Sequence, residues 1–291
     1  MMPRHSLVWR LRKGLSAIPA HAFLVGYALI SLYPFLWMIS AALKSSREVY
    51  ANQSLIPREL RLDVITGVWN QLDFWKYLLN SSLVATAVVV GIVFIYSLAG
   101  YGFAMTRFWA REALFVSFLA LLLVPGVTIL VPLVQLLRQL HLIGPDASQL
   151  STYFGLVMPM INGGGPLAVF LFRGYFASLP RDLHDAAQID GCREWDIYLR
   201  VYLPLAVPAI ATVSILNFLS TWNAYIFPSV VLNNPDWFTL PLKLRDLDVQ
   251  QVIQWNVRMA GSLITVTPAI LVFLFLQRYY IRGLSGGAVK G

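Results

Sequence analysis

The sequence is poor in charge. Only 12% of its 291 residues are Asp, Glu, Lys or Arg, whereas 58% are hydrophobic. A soluble globular domain carries about 25% charged residues, so this composition excludes an ordinary soluble domain. Alternation of apolar and polar residues with a period of two is also absent, which argues against a membrane β-barrel. We therefore predict an all-α integral membrane protein.

The residues that usually carry enzyme chemistry are scarce as well. Cys192 is the only cysteine, so no disulfide can form within the chain. The four histidines are scattered, and neither an HExxH nor a Gly-x-Ser-x-Gly pattern occurs. The glycine run 163–166 ends in proline and lacks the lysine and hydroxyl of a phosphate-binding loop. We expect a chain that is not an enzyme and that holds no metal or cofactor of its own.

Long apolar runs make up most of the sequence. A helix that crosses a membrane needs about 20 apolar residues. Six segments meet this requirement, and we treat residues 1–291 as one membrane domain built from them. The predicted spans are roughly 20–42, 80–106, 114–137, 153–177, 203–227 and 261–281.

The distribution of Lys and Arg predicts the orientation of these spans. With the N-terminus inside, the inner segments hold more than half of the 22 basic residues, although the outer loops are longer. Both termini and the charged loop after the fourth span are then cytoplasmic. The net charge of +8 is thus interpreted as membrane topology and attraction to anionic lipid, without a nucleic-acid partner.

The stretch 182–208 is dense in charge between two apolar segments, so it must lie in water at the membrane edge. Its sequence is DLHDAAQIDGCREWDIYLRVYLPLAVP. The pattern predicts two short amphipathic helices around a sharp turn. Gly191 is the natural turn residue, because glycine alone adopts a left-handed backbone without strain. The adjacent Ala186 and Ala187 would allow a partner to approach closely.

This stretch resembles the EAA loop of bacterial ABC importer permeases. Asp185, Ala186, Ala187 and Gly191 stand at the motif positions, with Asp190 before the glycine. The resemblance extends along nearly the whole chain, which is similar to the smaller permease subunit of maltose-type sugar importers. Further motifs that carry it are Asn80-Ser81, Gly100-Tyr101-Gly102-Phe103-Ala104, Arg107-Phe108, Trp222-Asn223, Thr239-Leu240-Pro241-Leu242 and the glycine-rich C-terminus after Gln277-Arg278-Tyr279-Tyr280.

The resemblance implies a transport subunit of the bacterial cytoplasmic membrane that imports a sugar or sugar-like solute. It also implies four kinds of partner: a second permease subunit, two ATPase subunits that bind ATP and Mg²⁺, an extracytoplasmic solute-binding protein and membrane lipid. The loop with Asp185, Ala186, Ala187, Asp190 and Gly191 would couple the permease to the ATPases. A stand-alone carrier or channel, or an importer of a non-sugar solute such as glycerol phosphate, remains the alternative.

Two intramembrane segments are candidates for the substrate pathway. The run Asn162–Pro166 is expected to break the fourth span, and a packing kink is the equal alternative. Asn217, Trp222 and Asn223 follow a polar stripe in the fifth span, and a sugar site combines hydrogen-bonding groups with an aromatic face. Hydrogen bonding between helices is the competing interpretation of Asn217, and an interfacial aromatic belt that of Trp222.

Overall fold

A computed structural model describes residues 5–71, 73–250 and 254–288, and these residues contain helices and no strand. Two compact units are distinguished, Met1–Leu72 with Gln250–Ile264 and Asp73–Val249 with Thr265–Gly291. The helices, in chain order, are α1 His5–Ala42, α2 Ser46–Ala51, α3 Leu62–Gln71, α4 Phe74–Met105, α5 Arg111–Ala120, α6 Leu130–Gln139, α7 Gln149–Ser178, α8 Asp182–Ile189, α9 Glu194–Ile197, α10 Leu203–Leu205, α11 Val207–Trp222, α12 Ile226–Val231, α13 Leu240–Gln250 and α14 Trp255–Ala288.

Four helical segments of the described chain are long and apolar enough to cross a membrane. They are Pro19–Ala42, Phe74–Met105, Gln149–Ser178 and Trp255–Arg278. A bent pair, Glu194–Leu205 with Val207–Trp222, makes a fifth if it is counted as one span. The prediction of an all-α membrane protein is therefore confirmed, but the count of six continuous spans is not.

The predicted third span, residues 114–137, is divided. Helix α5 continues into a 3₁₀ turn at Leu121–Leu123, and α6 starts only at Leu130. Pro125 accounts for the break, because its ring disfavours a helical conformation of the preceding residue. Val124 is accordingly extended, with ψ at 115°. An apolar run alone could not reveal this division, since Pro125 interrupts the helix without interrupting the hydrophobicity.

The predicted fifth span, residues 203–227, also begins later and ends earlier than expected. Its longest helical part is α11, which makes an angle of 74° with the preceding segment Glu194–Leu205. Pro204 and Pro208 surround the bend, and neither can donate the backbone hydrogen bond that would continue the preceding helix. The segment before the bend carries the charges of the hairpin, and we treat α11 as the membrane-spanning part.

Helices α4, α7 and α11 pack together around the main hydrophobic core of the second unit. Val88, Ile92, Phe172 and Val213 lie at its centre and are at most 1% exposed. Gly100 of α4 brings the helices into close contact, since a β-carbon there would lie 2.5 Å from Phe172 Cβ and 3.0 Å from the Arg173 amide nitrogen. The interface between α4 and α7 thus depends on a residue without a side chain.

The expected break at Asn162–Pro166 is wrong, because α7 is helical from Gln149 to Ser178 with Pro166 inside it. Two of its glycines, Gly164 and Gly165, serve close packing. A β-carbon at Gly164 would lie 2.3 Å from Asn217 Oδ1, and one at Gly165 would lie 2.3 Å from Tyr96 Cζ. This outcome supports the packing interpretation of the segment.

Two motifs that are far apart in sequence meet at the start of α4. Asn80 donates from Nδ2 to the carbonyl oxygens of Asp236 and Phe238, at 3.1 and 3.0 Å. The hydroxyl oxygen of Ser81 accepts from the Leu240 amide at 2.7 Å. The Asn80-Ser81 pair therefore satisfies the backbone of the turn that leads into α13.

The close packing at Gly100 can be tested by substitution, with Gly102, two residues later, as the control. Gly100→Ala should destabilise the protein by about 1–3 kcal/mol, because an overpacked helix contact must shift backbone atoms. Gly102→Ala should be neutral or slightly stabilising, since nothing lies within 4 Å of its β-carbon position and alanine is the better helix former. Thermal denaturation of the detergent-solubilised variants measures both. Equal melting temperatures would contradict the close-contact role of Gly100.

Candidate functional site

The charged hairpin formed by α8, its turn and α9 is the candidate site. Gly191 adopts a left-handed conformation with φ at 78°. The Cys192 amide donates to the Ala187 carbonyl and the Gly191 amide to the Gln188 carbonyl, both at 3.0 Å. This pair of bonds is a Schellman motif, which ends a helix at a left-handed residue. The predicted turn at Gly191 is confirmed.

The predicted motif residues lie on different sides of α8. Asp185, Ala186, Asp190 and Gly191 are exposed, whereas Ala187 is only 8% exposed and belongs to the core. Of the two adjacent alanines, Ala186 is therefore the one open to a partner. The Asp185 carboxylate lies in the first turn of α8, where the helix dipole stabilises negative charge.

Apolar side chains are exposed on the same hairpin. Ile189 is 87% exposed and Trp195 is 50% exposed, and Leu183 and Leu199 are exposed to a smaller extent. Together with Asp185 and Ala186 they form a surface that is apolar with one acidic group, Asp185. We call Leu183, Asp185, Ala186, Ile189 and Trp195 the outer face of the hairpin. Exposed apolar patches of this kind mark interaction sites.

The inner side of the hairpin is held by Glu194. Its Oε1 accepts hydrogen bonds from Gln188 Nε2 at 3.2 Å and from His184 Nε2 at 3.1 Å. Its Oε2 accepts from the hydroxyl of Tyr101 at 2.9 Å. One carboxylate thus joins both arms of the hairpin to the end of α4.

An aromatic cluster reinforces this attachment. Tyr101 packs against Tyr198, Tyr202 and Phe176, with ring centroids 5.2 to 5.9 Å apart. The hydroxyls of Tyr198 and Ser97 lie 2.7 Å apart in a buried hydrogen bond. Since Tyr198, Tyr202 and Phe176 are almost completely buried, the hairpin is fixed to α4 and α7.

The hydrogen bonds around Glu194 also set its protonation. Partial burial alone would raise the pKa of the Glu194 carboxyl. The hydrogen bonds from Tyr101, His184 and Gln188 outweigh this effect and lower the pKa below its ordinary value. Glu194 is therefore an anion at neutral pH and can accept three hydrogen bonds at once.

The sequence did not single out this attachment. In the sequence, His184 is one of four scattered histidines, and Glu194 is only part of the hairpin's charge. A local signal was present, since His184 and Gln188 are four residues apart and thus on one face of α8. The turn at Gly191 returns the chain so that Glu194 meets that face. The hydrogen bond from Tyr101, which lies 93 residues before Glu194, could be recognised only in the tertiary structure.

The three candidate pathway residues lie along α11 in different environments. Asn217 is 9% exposed and donates from Nδ2 to the Val213 carbonyl at 2.9 Å. Trp222 is 2% exposed, and its Nε1 donates to the Thr265 carbonyl at 2.9 Å. Asn223 is exposed at the C-terminal end of the helix. Asn223 is therefore the one of the three that a solute or reagent can reach in this conformation.

Comparison with known proteins gives a consistent picture. Residues 91–286 match the family described as "Binding-protein-dependent transport system inner membrane component". The chain is 34% identical over 288 residues to the arabinooligosaccharides transport system permease protein AraQ of Halalkalibacterium halodurans, covering 97% of this chain and 100% of that protein. It is 29% identical to the lactose transport system permease protein LacG of Rhizobium radiobacter, covering 95% and 97%.

A solved structure has a similar fold. It belongs to a bacterial ABC transporter involved in the import of the acidic polysaccharide alginate. The TM-score is 0.77 at 23% sequence identity, over 96% of this chain and 99% of that chain.

The Glu194 network predicts how the hairpin responds to substitution and to acid. Glu194→Gln should increase amide hydrogen exchange across α8 and α9 at neutral pH, since an amide cannot accept all three bonds. The lowered pKa means that the stabilisation is complete above the ordinary glutamate pKa and is lost as pH falls through the lowered value. In the wild-type protein, the protection of the α8 and α9 amides against exchange should therefore decrease only in acid. The decrease should be smaller in Glu194→Gln.

Asp196→Asn provides the matched control for this experiment. Asp196 lies on the same short helix, and its partner Arg200 is 3.5 Å away with a side chain that is 79% exposed. Exposed pairs of this kind contribute little, so exchange should remain at the wild-type level. Equal exchange in all three proteins would show that Glu194 does not hold the hairpin.

Proposed function

Because the chain belongs to the family of inner membrane components of binding-protein-dependent transport systems, we propose that it is the permease subunit of an ATP-driven importer. It moves a sugar or sugar-like solute into the cytoplasm by alternating access. The names of the two relatives, which refer to arabinooligosaccharides and lactose, support a saccharide. The chain itself carries out no hydrolysis, and ATP with Mg²⁺ binds to separate ATPase subunits.

The observation that carries this proposal is the two-sided construction of the hairpin. Its inner side is fixed to α4 and α7 through Glu194, Tyr101 and the buried tyrosines. Its outer face exposes Ile189, Trp195 and Ala186 to a partner. A partner that grips the outer face can therefore move the membrane helices with the hairpin, which is what coupling to a separate motor requires.

We assign the outer face to a cleft of the ATPase subunit. Ile189 and Trp195 supply apolar area, and Ala186 permits close approach of the partner. Asp185 meets a basic residue of that subunit, while Asp190 and Gly191 form the turn. Closure of two ATPase subunits then brings two hairpins together, one from this chain and one from a second permease subunit.

The membrane orientation follows from this assignment. The hairpin lies in the cytoplasm, and so do the N- and C-termini. The C-terminal residues 289–291 lie outside the described residues. The α11 end with Trp222 and Asn223 then lies on the outer side, where a solute-binding protein delivers the substrate. Asn217, Trp222 and Asn223 are proposed for the pathway, with Asn223 accessible from the outside.

Reconstitution tests the proposal as a whole. The chain should assemble with a second permease subunit and two ATPase subunits in lipid vesicles. ATP hydrolysis should then rise when binding protein loaded with an arabino-oligosaccharide or a disaccharide is present. The chain purified alone should not hydrolyse ATP. Solute uptake by the chain alone, without ATP or ATPase, would instead identify a secondary carrier or a channel.

A β-branched residue in place of Gly191 should reduce coupling to the ATPase with little effect on membrane insertion. Gly191→Val should abolish most solute uptake, because a β-branched residue is strained at a positive φ. Gly191→Asn should retain uptake, since asparagine tolerates this conformation. No atom lies within 4 Å of the β-carbon position, so the two variants differ in backbone strain and not in a clash. Uptake and ATPase co-purification are measured at equal permease levels, and wild-type behaviour of Gly191→Val would contradict the coupling role.

Asn223 predicts an accessibility that changes during transport. In a Cys192→Ala background, Asn223→Cys should react with a membrane-impermeant thiol reagent added from outside, and the rate should change with ATP or substrate. Asn217→Cys serves as the buried control and should react much more slowly, since Asn217 is 9% exposed. A rate for Asn223→Cys that is the same in every state would remove this residue from the pathway.

A further inference from the structure

A basic cleft lies beside the hairpin, between the end of α4 and the start of α8. Its volume is about 400 Å³, within the range of small-ligand sites. Three arginines line it, Arg107, Arg111 and Arg181, together with Glu112 and Trp109. None of the residues that line this cleft belongs to the outer face of the hairpin or to the candidate substrate pathway.

The only acid that lines the cleft is already neutralised. Glu112 pairs with Arg173 at 2.7 Å and with Arg111 at 2.9 Å. The hydrogen bond from Arg173 lowers the pKa of the Glu112 carboxyl, so that this ion pair persists at neutral pH. Arg107 and Arg181 form no ion pair with any carboxylate in the described part of the chain. Two exposed guanidinium groups thus remain for an anion.

The aromatic residues of the cleft place it at the membrane surface. Trp109 is 100% exposed and Phe108 is 42% exposed. They lie three and four residues after Met105, the last residue of α4, which is one of the candidate spans. Tryptophan is enriched at the level of lipid headgroups, where its ring contacts apolar chains and its N–H faces water. A fully exposed tryptophan at the end of a membrane helix is therefore well suited to lipid.

We propose that this cleft binds the headgroup phosphate of an anionic phospholipid. Arg107 and Arg181 hold the phosphate oxygens, because a guanidinium group matches phosphate geometry with two parallel donors. Trp109 inserts beside the acyl chains, and the Glu112 pair with Arg111 and Arg173 keeps the cleft open and basic. The inference goes beyond the proposed transport function, and a lipid would bind here whether or not an ATPase subunit is attached.

The first experiment locates the lipid. The full-length chain, with the subunits that copurify, is placed in phosphatidylcholine vesicles that contain brominated phosphatidylglycerol. Bromine quenches nearby tryptophan, so the quenched signal should be larger for wild type than for Trp109→Phe. Vesicles with the same lipid composition and the same mole fraction of brominated lipid, now with the bromine on phosphatidylcholine, should give a much smaller difference. Equal differences for the two lipids would overturn the proposal, because they would show a site without headgroup selectivity.

The second experiment assigns the arginines. Phosphatidylglycerol that remains bound after detergent extraction is quantified by mass spectrometry. Arg107→Gln and Arg181→Gln should each reduce its affinity roughly fivefold, the usual effect of one basic residue near an anionic surface. Arg138→Gln is the matched control, since it removes an exposed arginine outside this cleft. Wild-type retention in both cleft variants would overturn the proposal.

Two further measurements distinguish a bound lipid from other ligands of the cleft. Inorganic phosphate added in excess should leave lipid retention unchanged, and displacement of the lipid would indicate a site for a soluble anion instead. ATPase co-purification is measured with Arg107→Gln and Arg181→Gln, and it should match wild type. Loss of the ATPase subunit with unchanged lipid retention would assign the cleft to that subunit. Neither result depends on sugar transport, so the lipid site and the transport function can fail separately.

Discussion

The carboxylate of Glu194 is the point on which the functional part of the structure depends. From the second arm of the hairpin it accepts hydrogen bonds from His184 and Gln188 on the first arm and from Tyr101 at the end of α4. A loop on a membrane surface normally moves independently of the helices it connects. Here a charge-assisted network and buried aromatic rings replace that freedom with a fixed attachment. The proposed role of the outer face as a contact surface for a partner requires this attachment of the inner side to α4 and α7.

The same requirement for rigidity explains the small residues in the second unit. Gly100, Gly164 and Gly165 place α4, α7 and α11 in direct contact, at distances that leave no room for a β-carbon. Close backbone approach is how helices associate in a bilayer, where lipid is as apolar as the side chains and gives no hydrophobic driving force. A movement applied to the hairpin then reaches α11 through packed atoms rather than through a flexible connection.

Local features of the sequence predicted the structure well, and features that depend on distant contacts did not follow from it. The turn at Gly191 needed only the preference of glycine for a positive φ, and the membrane class needed only the apolar runs. Hydrophobicity alone predicts continuous third and fifth spans, whereas the structure interrupts both. The reason is that Pro125, Pro204 and Pro208 lie in stretches that are hydrophobic throughout. The break expected at Asn162–Pro166 is wrong, and neighbours from α4 and α11 fill the space over Gly164 and Gly165. Tyr101 could not be connected with Glu194 without the fold.

The arrangement of charge around the hairpin has a further physical consequence. Arg107 and Arg181 line the cleft beside the hairpin, whereas the hairpin itself exposes groups of both signs, Asp185, Asp190, Arg193 and Arg200. Basic charge is thus concentrated at the cleft, and the outer face carries Asp185 as its charged group. An anionic bilayer attracts the basic cleft and repels Asp185. Lipid bound at the cleft would therefore favour an orientation in which the outer face points away from the membrane and toward water. On the proposed function, that is the orientation in which an ATPase subunit would reach the outer face.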